Sequence, residues 1–434
     1  IGTVLAGIAT GSAVGGALAD RHDPRRLIGP LLVASAAAAL MSRPVIAALG
    51  PGIARTGGGP SGILILALSA FVLPTALLSA VSPMVAKLRL ASVVETGTVV
   101  GGLSAAGTAG ALVGTFATGF VFIAALSSRW IVIMVSAALA LTGIVLWVGT
   151  GRRPRTRTVA LSVLLAAVAS AVPLPCEYET RYYCATVDVD EARPSGRILL
   201  LDNLQHSYVD LDDPTHLEFR YARLFAALID GNIERPRVRA LHIGGGGFTL
   251  PRWLNATRPG STNVVLELDG DIVAIAEREL GLERGPSLRI RTGDARLNIA
   301  DEPADRYDLA VGDAFGGMSV PWHLTTTEML TEVSRVLDSG GLYVMNVIDG
   351  GERRLVRAEL ATLREVFANV VVVEPPDGPY GNYVLAASDR PITLPAIARR
   401  EGVAVPSDRL SEFIDGAAVL RDEFAPADQL LSRN

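Results

Sequence analysis

The chain has 434 residues, half of them hydrophobic and only 6% aromatic, with a mean hydropathy of +0.37 and a net charge of −5. Residues 1–175 hold twelve Arg and Lys against three Asp and Glu, a net of +9, whereas residues 176–434 hold 27 against 41, a net of −14. A basic apolar half joined to an acidic polar half excludes a single soluble domain, a disordered chain and a coiled coil. The acidic second half argues against nucleic acid as a partner, since binding it needs a basic surface that releases counterions. Two cysteines, Cys176 and Cys184, are too few for a zinc ribbon or a disulfide scaffold, and no His, Cys or carboxylate group has metal-ligand spacing. No metal is therefore expected.

About 20 apolar residues cross a bilayer as a helix. Six segments of that kind occupy 1–19, 27–49, 62–83, 98–126, 130–149 and 158–174, the first entered midway, as in a piece of a longer protein. The long segment 98–126 carries no charge and reads as one tilted or kinked helix. Its glycines (Gly101, Gly102, Gly107, Gly110, Gly114 and Gly119) are of the kind that lets membrane helices approach closely. Basic residues are concentrated in alternate loops, three in 20–26, two in 87–95 and four in 151–157. Only Arg43, Arg55 and Arg129 stand in the loops between them. The positive-inside rule puts the first set in the cytoplasm, so that after the sixth span the acidic half faces outward. Cys176 and Cys184 lie just beyond that span, and an extracytoplasmic location would allow a disulfide between them.

Beyond residue 175 the pattern changes to alternating strands and helices. Residues 180–189 and 196–202 read as a β-hairpin, and 215–230 as an amphipathic helix. A βα series follows, with strands at 238–243, 263–268, 287–292, 307–312, 341–348, 369–374 and 382–387. Helices are expected after 247 and over 270–280, 325–337 and 352–368, and the tail 392–431 reads as helical. The fold class expected is an N-terminal α-helical transmembrane bundle (1–175), a small β-hairpin domain (176–212), a Rossmann-like doubly wound α/β sheet (213–390) and a helical tail (391–434).

Four polar features stand at the carboxyl ends of four successive strands. The first is the glycine run Gly244, Gly245, Gly246 and Gly247, where backbone can approach a ligand at the start of a helix. Glu267 ends the second strand, where a carboxylate can hold both ribose hydroxyls. Asp294, followed by Ala295, ends the third, and Asp313 ends the fourth. All four open into one crevice, which reads as a nucleoside site.

These motifs, in this order and with Leu200-Leu201-Asp202-Asn203-Leu204-Gln205 before the first helix, resemble those of spermidine synthases, the aminopropyltransferases. The apolar half resembles a major-facilitator-like bundle fused ahead of a synthase, with Gly11 to Arg21 similar to the facilitator loop motif. The resemblance implies a transmembrane, multi-pass protein that binds decarboxylated S-adenosylmethionine or S-adenosylmethionine as co-substrate. Its partners would be a small-molecule amine or nucleoside, with the lipid bilayer around the first half and a homodimer admitted. Glu267 would bind the ribose, Asp294 and Ala295 the adenine, and Gly244, Gly245 and Gly246 the sulfonium side. Gln205 would border the same ligand, and Asp313 would be the catalytic base.

Three positions depart from that pattern. Gly247 stands where the family has Asp, and Gly316 where it has a second Asp. The Asp-Glu-x-x-Tyr-His/Gln-Glu segment is read at Asp213 to Glu218, without its Tyr. The adenosyl end is thus retained and the ammonium-binding end depleted, so restoring Asp at 247 and 316 is expected to favour short diamines. Glu218, His323 and Tyr380 are the candidates on the acceptor side. Methyl transfer, or a non-catalytic nucleoside- or polyamine-binding module, are the alternatives to aminopropyl transfer.

Overall fold

The computed structural model describes residues 2–55, 59–90, 96–150, 177–202, 204–315 and 320–431. The chain divides into two compact units, Ile1–Tyr182 and Tyr183–Asn434.

In the first unit five helical stretches among the described residues are long and apolar enough to cross a membrane: Gly2–Arg21, Pro24–Gly50, Ser61–Arg89, Gly97–Phe122 and Ser128–Gly149. Helix α4 (Val81–Arg89) ends the third stretch, and α5 (Thr96–Ala117) and α6 (Ser128–Gly149) run along the last two. The predicted sixth span, 158–174, lies outside the described residues. Helix α1 (Gly2–Arg21) lies along α3 (Pro60–Ser79), with Gly7, Gly11 and Gly15 facing Thr75, Ala76 and Ala80 so closely that a methyl at any of the three would collide. Helix α2 (Ile28–Arg55) crosses the last apolar helix, Ser128–Gly149, at Gly29 and Gly143, each within 2.8 Å of the other's carbonyl oxygen if given a Cβ. Backbone-to-backbone approach through small residues is how helices associate where no hydrophobic force separates protein from solvent. The single helix expected over 98–126 is broken by a π-helical turn at Thr118–Phe122, a recognised source of kinks. Arg43 is not in a loop; it lies inside α2, where its guanidinium meets Glu179 at 2.9 Å.

The second unit begins with three antiparallel strands, β1 (Cys184–Val189), β2 (Gly196–Leu201) and β3 (Leu204–Asp210). The third strand was not expected. Asp202 takes a left-handed φ of 55° and turns the chain straight back, so Leu201 pairs with Leu204 and Leu200 with Gln205. Cys184 carries a free thiol, half-buried and with its pKa raised by burial and then by Asp202. The disulfide expected with Cys176 has no support among the described residues, since Cys176 itself lies outside them.

The main sheet contains β4 (Arg239–Ile243), β5 (Thr262–Glu267), β6 (Leu288–Thr292), β7 (Tyr307–Gly312), β8 (Leu337–Asp349), β9 (Asn369–Glu374), β10 (Gly381–Ser388) and the short β11 (Val403–Ala404). Their spatial order is β11-β9-β10-β8-β7-β4-β5-β6. Strands β8, β7, β4, β5 and β6 pair in parallel, and β10, β9 and β11 add antiparallel at one edge. Helix α7 (Arg220–Asn232) covers one face, packing Leu224, Phe225 and Leu228 with Ala240, Val311, Val344 and Val384. The other face holds Leu241, Ile243, Tyr343 and Met345 under Thr327–Val336 and Arg354–Val366. Because side chains alternate along a strand, this burial fixes which residues near the strand ends share the α7 face. They are His242, Asp313, Asn346 and Asn382. Chain order reverses between β4 and β7, which makes the ends of those two strands the crevice of the sheet.

The tail is helical in short pieces. Pro395, Pro406 and Pro426 each begin a short helical piece, and Asp415, at φ 51°, ends Leu410–Ile414. The rest is extended, including β11 at the sheet edge.

One core residue runs against the packing rules. Glu359, on Arg354–Val366, is fully buried, and neither carboxyl oxygen has a hydrogen-bond partner among the described residues. Burial raises its pKa well above the ordinary glutamate value of 4.5. Replacing it by Met removes an unsatisfied polar group at similar volume and should stabilise the protein by about 1–3 kcal/mol. A raised folded-state pKa gives a contribution that is complete below pH 4.5 and lost as pH rises through the folded value. Glu359→Gln should thus flatten the decline of stability with rising pH, measured as the midpoint of chemical unfolding.

Candidate functional site

The glycine loop follows β4 directly. Gly244 has φ 97° and Gly246 φ 51°, conformations that side chains rarely adopt. A Cβ on Gly244 would strike the carbonyl oxygen of Asp313, so the absence of a side chain there lets the ends of β4 and β7 close on each other. The contact is extended by Asp313 N–H donating to Ile243 O at 2.9 Å and Gly244 N–H donating to Leu266 O at 2.9 Å. Phe248, fully buried and left-handed at φ 57°, then turns the chain into helix α8 (Thr249–Thr257).

Glu267, at the end of β5, is buried and bound to this loop. Its Oε2 accepts from Gly245 N–H at 2.7 Å and Gly246 N–H at 3.1 Å, and its Oε1 accepts from Asp269 N–H at 2.9 Å. Burial raises its pKa, against the pull of these three donors. A carboxylate offers about four acceptor positions, so three are taken and about one remains for a ligand hydroxyl. The sequence expectation of both ribose hydroxyls on Glu267 needs one loop N–H to be released.

Asp294 and His323 come together, with His323 Nε2 3.1 Å from Asp294 Oδ2. Asp294 also caps the short helix Ala295–Ile299, accepting from Arg296 and Leu297 N–H. The His323 hydrogen bond is the first cause of its lowered pKa. Ala295 is buried behind it. Arg296 is held in turn by Asp422 of the tail at 2.8 Å.

Asp313 lies at the base of a cavity shared with Gly244, Gly245, Gly246 and Glu218, and with residues the sequence reading did not assign: His206, Ser207, Tyr208, Tyr221 and His242. Burial raises its pKa to about 6, while hydrogen bonds from Asn346 and Tyr221 pull the other way. Asn346 Nδ2 donates to Asp313 Oδ1 at 3.0 Å, and Asn382 Nδ2 donates to Asn346 Oδ1 at 2.9 Å. The Tyr221 hydroxyl donates to Asp313, and burial with this charged neighbour raises its own pKa well above the usual tyrosine value. His206 and His242 are held down to about 4 by burial, so both imidazoles are neutral at pH 7.

Other candidates fall elsewhere. Gln205 is exposed on β3 and does not line the cavity. Tyr380 is half-exposed and stacks over Gly350, where a Cβ would meet its ring. Tyr221, counted as missing from the sequence, is the third residue after Glu218, which is the Glu-x-x-Tyr spacing read five residues further along. In that register Ala222 and Arg223 replace the polar residues that follow, and Arg223 pairs with Glu401 at 3.0 Å. Asn346 and Asn382 carried a usable signal too, being amides inside apolar strands and in phase with the α7 face.

No protein-family model matches the chain. It is 34% identical over 162 residues to a polyamine aminopropyltransferase of Vibrio vulnificus, covering 37% of this chain and 52% of that protein. It is 26% identical over 182 residues to one of Chromobacterium violaceum, covering 42% and 67%. The chain thus spans about half the length of the first of these curated relatives. Among solved structures it is similar to a probable spermidine synthase of Corynebacterium glutamicum, with 30% identity, a TM-score of 0.54, and coverage of 58% of this chain and 97% of that one.

Gly247, where the sequence departs from the resembled pattern, has no room for a side chain. Its N–H donates to Ser207 Oγ at 2.9 Å, and a Cβ would stand 2.8 Å from Ser207 Cβ and 3.1 Å from Val209 Cγ2. The expectation that an Asp here restores a lost function therefore fails on packing, and Gly316 lies outside the described residues. Gly247→Ala should destabilise by about 1–3 kcal/mol. Adding Ser207→Gly should recover part of that loss, read from unfolding midpoints of the single and double variants.

Proposed function

The chain belongs to the spermidine synthase family, and from that premise we propose that its second unit transfers an aminopropyl group from decarboxylated S-adenosylmethionine to a small amine. The observation that carries the reading is Asp313, a half-buried carboxylate with its pKa raised to about 6 and two donors, at the junction of β4 and β7. The residues fit a sulfonium nucleoside. Gly245 and Gly246 leave bare backbone where a Cβ would lie 3.1 Å from Glu267 Oε2 and 2.7 Å from Ser207 Oγ. Such a donor supplies an electrophilic carbon and departs as a neutral thioether.

Glu267 offers its remaining lone pair to one ribose hydroxyl, and Asp294, aligned by His323, faces the adenine side. Asp313 accepts the proton as the amine nitrogen forms its bond to the propyl carbon and the carbon–sulfur electron pair goes to sulfur. A base with a pKa near the working pH combines ionisation with proton affinity. Tyr221 and Asn346 hold the carboxylate in line, and the neutral His206 and His242 add no positive charge to repel an ammonium. Glu218 is the other carboxylate among the described residues of the cavity and the group placed to attract the acceptor. The apolar helices of the first unit anchor this activity to a membrane.

Asp313→Asn should leave donor binding intact and lower turnover by about 10²–10⁴-fold. In the wild type, kcat/KM should fall tenfold per pH unit below about 6, since Asp313 must be ionised to act. Titration calorimetry of the full chain with decarboxylated and intact S-adenosylmethionine, followed by product analysis with putrescine, tests the reading. Methylated product from the intact donor would move the assignment to methyl transfer, and ligand binding without any product would move it to a binding module.

A further inference from the structure

We propose that Asn382 is a positioning residue for Asp313: by donating its amide to Asn346, it holds the Asn346 N–H₂ against the Asp313 carboxylate. The proposal rests on the base role given to Asp313 only for its kinetic readout; the geometry stands without it.

Asn346 lies on β8 directly opposite Val384 of β10, and Asn382 is two residues along β10, on the same face and within diagonal reach. Asn346 is 4% exposed, so its amide has few partners to choose from. Its Nδ2 meets Asp313 Oδ1 and its Oδ1 meets Asn382 Nδ2. An amide turned through 180° has nearly the same shape but would direct a carbonyl oxygen at the carboxylate, an acceptor against an acceptor. That turned form suits only a protonated Asp313, whose O–H could donate to it. Asn382 opposes that turn, because turning the Asn346 amide alone would break both hydrogen bonds at once and set two N–H₂ groups against each other. The strand pair thereby selects the ionised form of a carboxyl that burial alone would keep protonated.

The charged and titratable groups around Asp313 come from several elements. They are Tyr221 on α7, Glu218 just before it, His206 and Tyr208 on β3, and His242 on β4. None of them bonds to Asn382 in the structure, so a change at 382 reaches Asp313 through Asn346.

The test is infrared titration of the full chain, following the carboxylic C=O band that Asp313→Asn abolishes. Asn346→Leu removes the donor itself and sets the largest upward shift of that titration. Asn382→Leu, which adds no charge, should give at least half of the same shift, and Asn382→Asp, which calls for the Asn346 N–H, should match or exceed it. The acid limb of kcat/KM should move with the band while the donor KM stays constant. A band unmoved in Asn382→Leu, in a protein whose unfolding midpoint is near wild type and whose Asn346→Leu variant does shift, overturns the proposal. A shifted band in a protein that turns over no amine upholds the positioning role and sinks the base assignment instead.

Discussion

The close approach of Gly244 to the Asp313 carbonyl governs the geometry of the second unit's crevice. With any side chain at 244, the ends of β4 and β7 would be forced apart at the point where chain order reverses. Closing that gap has two consequences. It puts the glycine-loop N–H groups within reach of Glu267, and it sets the half-buried Asp313 side chain in the cavity beside α7. A base of raised pKa and a loop prepared for a nucleoside are thus two results of one backbone contact. The left-handed glycines cost conformational entropy on folding, and the hydrogen bonds from Gly244, Gly245 and Gly246 offset it.

Within the crevice the competition is between burial and hydrogen bonding. Burial penalises ionised carboxyls at both Glu267 and Asp313, and in each case the structure answers with donors. Glu267 receives three backbone N–H groups, which hold it rigidly as part of the fold. Asp313 receives only side-chain donors, from α7 and β8. The difference separates a carboxylate that shapes a binding surface from one that can take up and release a proton.

The series of strands and helices from 238 to 388 was legible because apolar periodicity is imposed by burial on both faces of the sheet. Element ends differ from the expectation by a few residues, β8 most of all, since it begins at Leu337 rather than 341. The carboxylates Glu267, Asp294 and Asp313 were legible as strand-end residues. Tyr221 was overlooked because the motif was read five residues too early, and Asn346 and Asn382 because their partners are set by strand pairing across 36 residues. Strand β3 depended on one non-glycine residue, Asp202, adopting a left-handed turn that local composition does not announce. The tail is helical only in short pieces for a related reason. Its helix formers are present, but each proline restarts the chain before a second turn can consolidate.

The same use of missing side chains organises the first unit, with a different outcome. Gly7, Gly11, Gly15, Gly29 and Gly143 are all occupied by neighbouring backbone, and there small residues have become helix contacts. Along Thr96–Ala117, Gly97, Gly101, Gly102, Gly107, Gly110 and Gly114 have nothing within 4 Å of a Cβ position among the described residues. The sequence reading expected close approach at Gly101, Gly102, Gly107, Gly110 and Gly114 and did not assign it to the first set. What separates them is whether a second helix supplies backbone at the same height. Glycine in a membrane helix therefore records the possibility of contact, and only the neighbouring helix decides whether it is used. In the crevice the order is reversed. There the neighbour, Asp313, is supplied by the next strand of the same sheet, so the glycine and its contact follow from one topology.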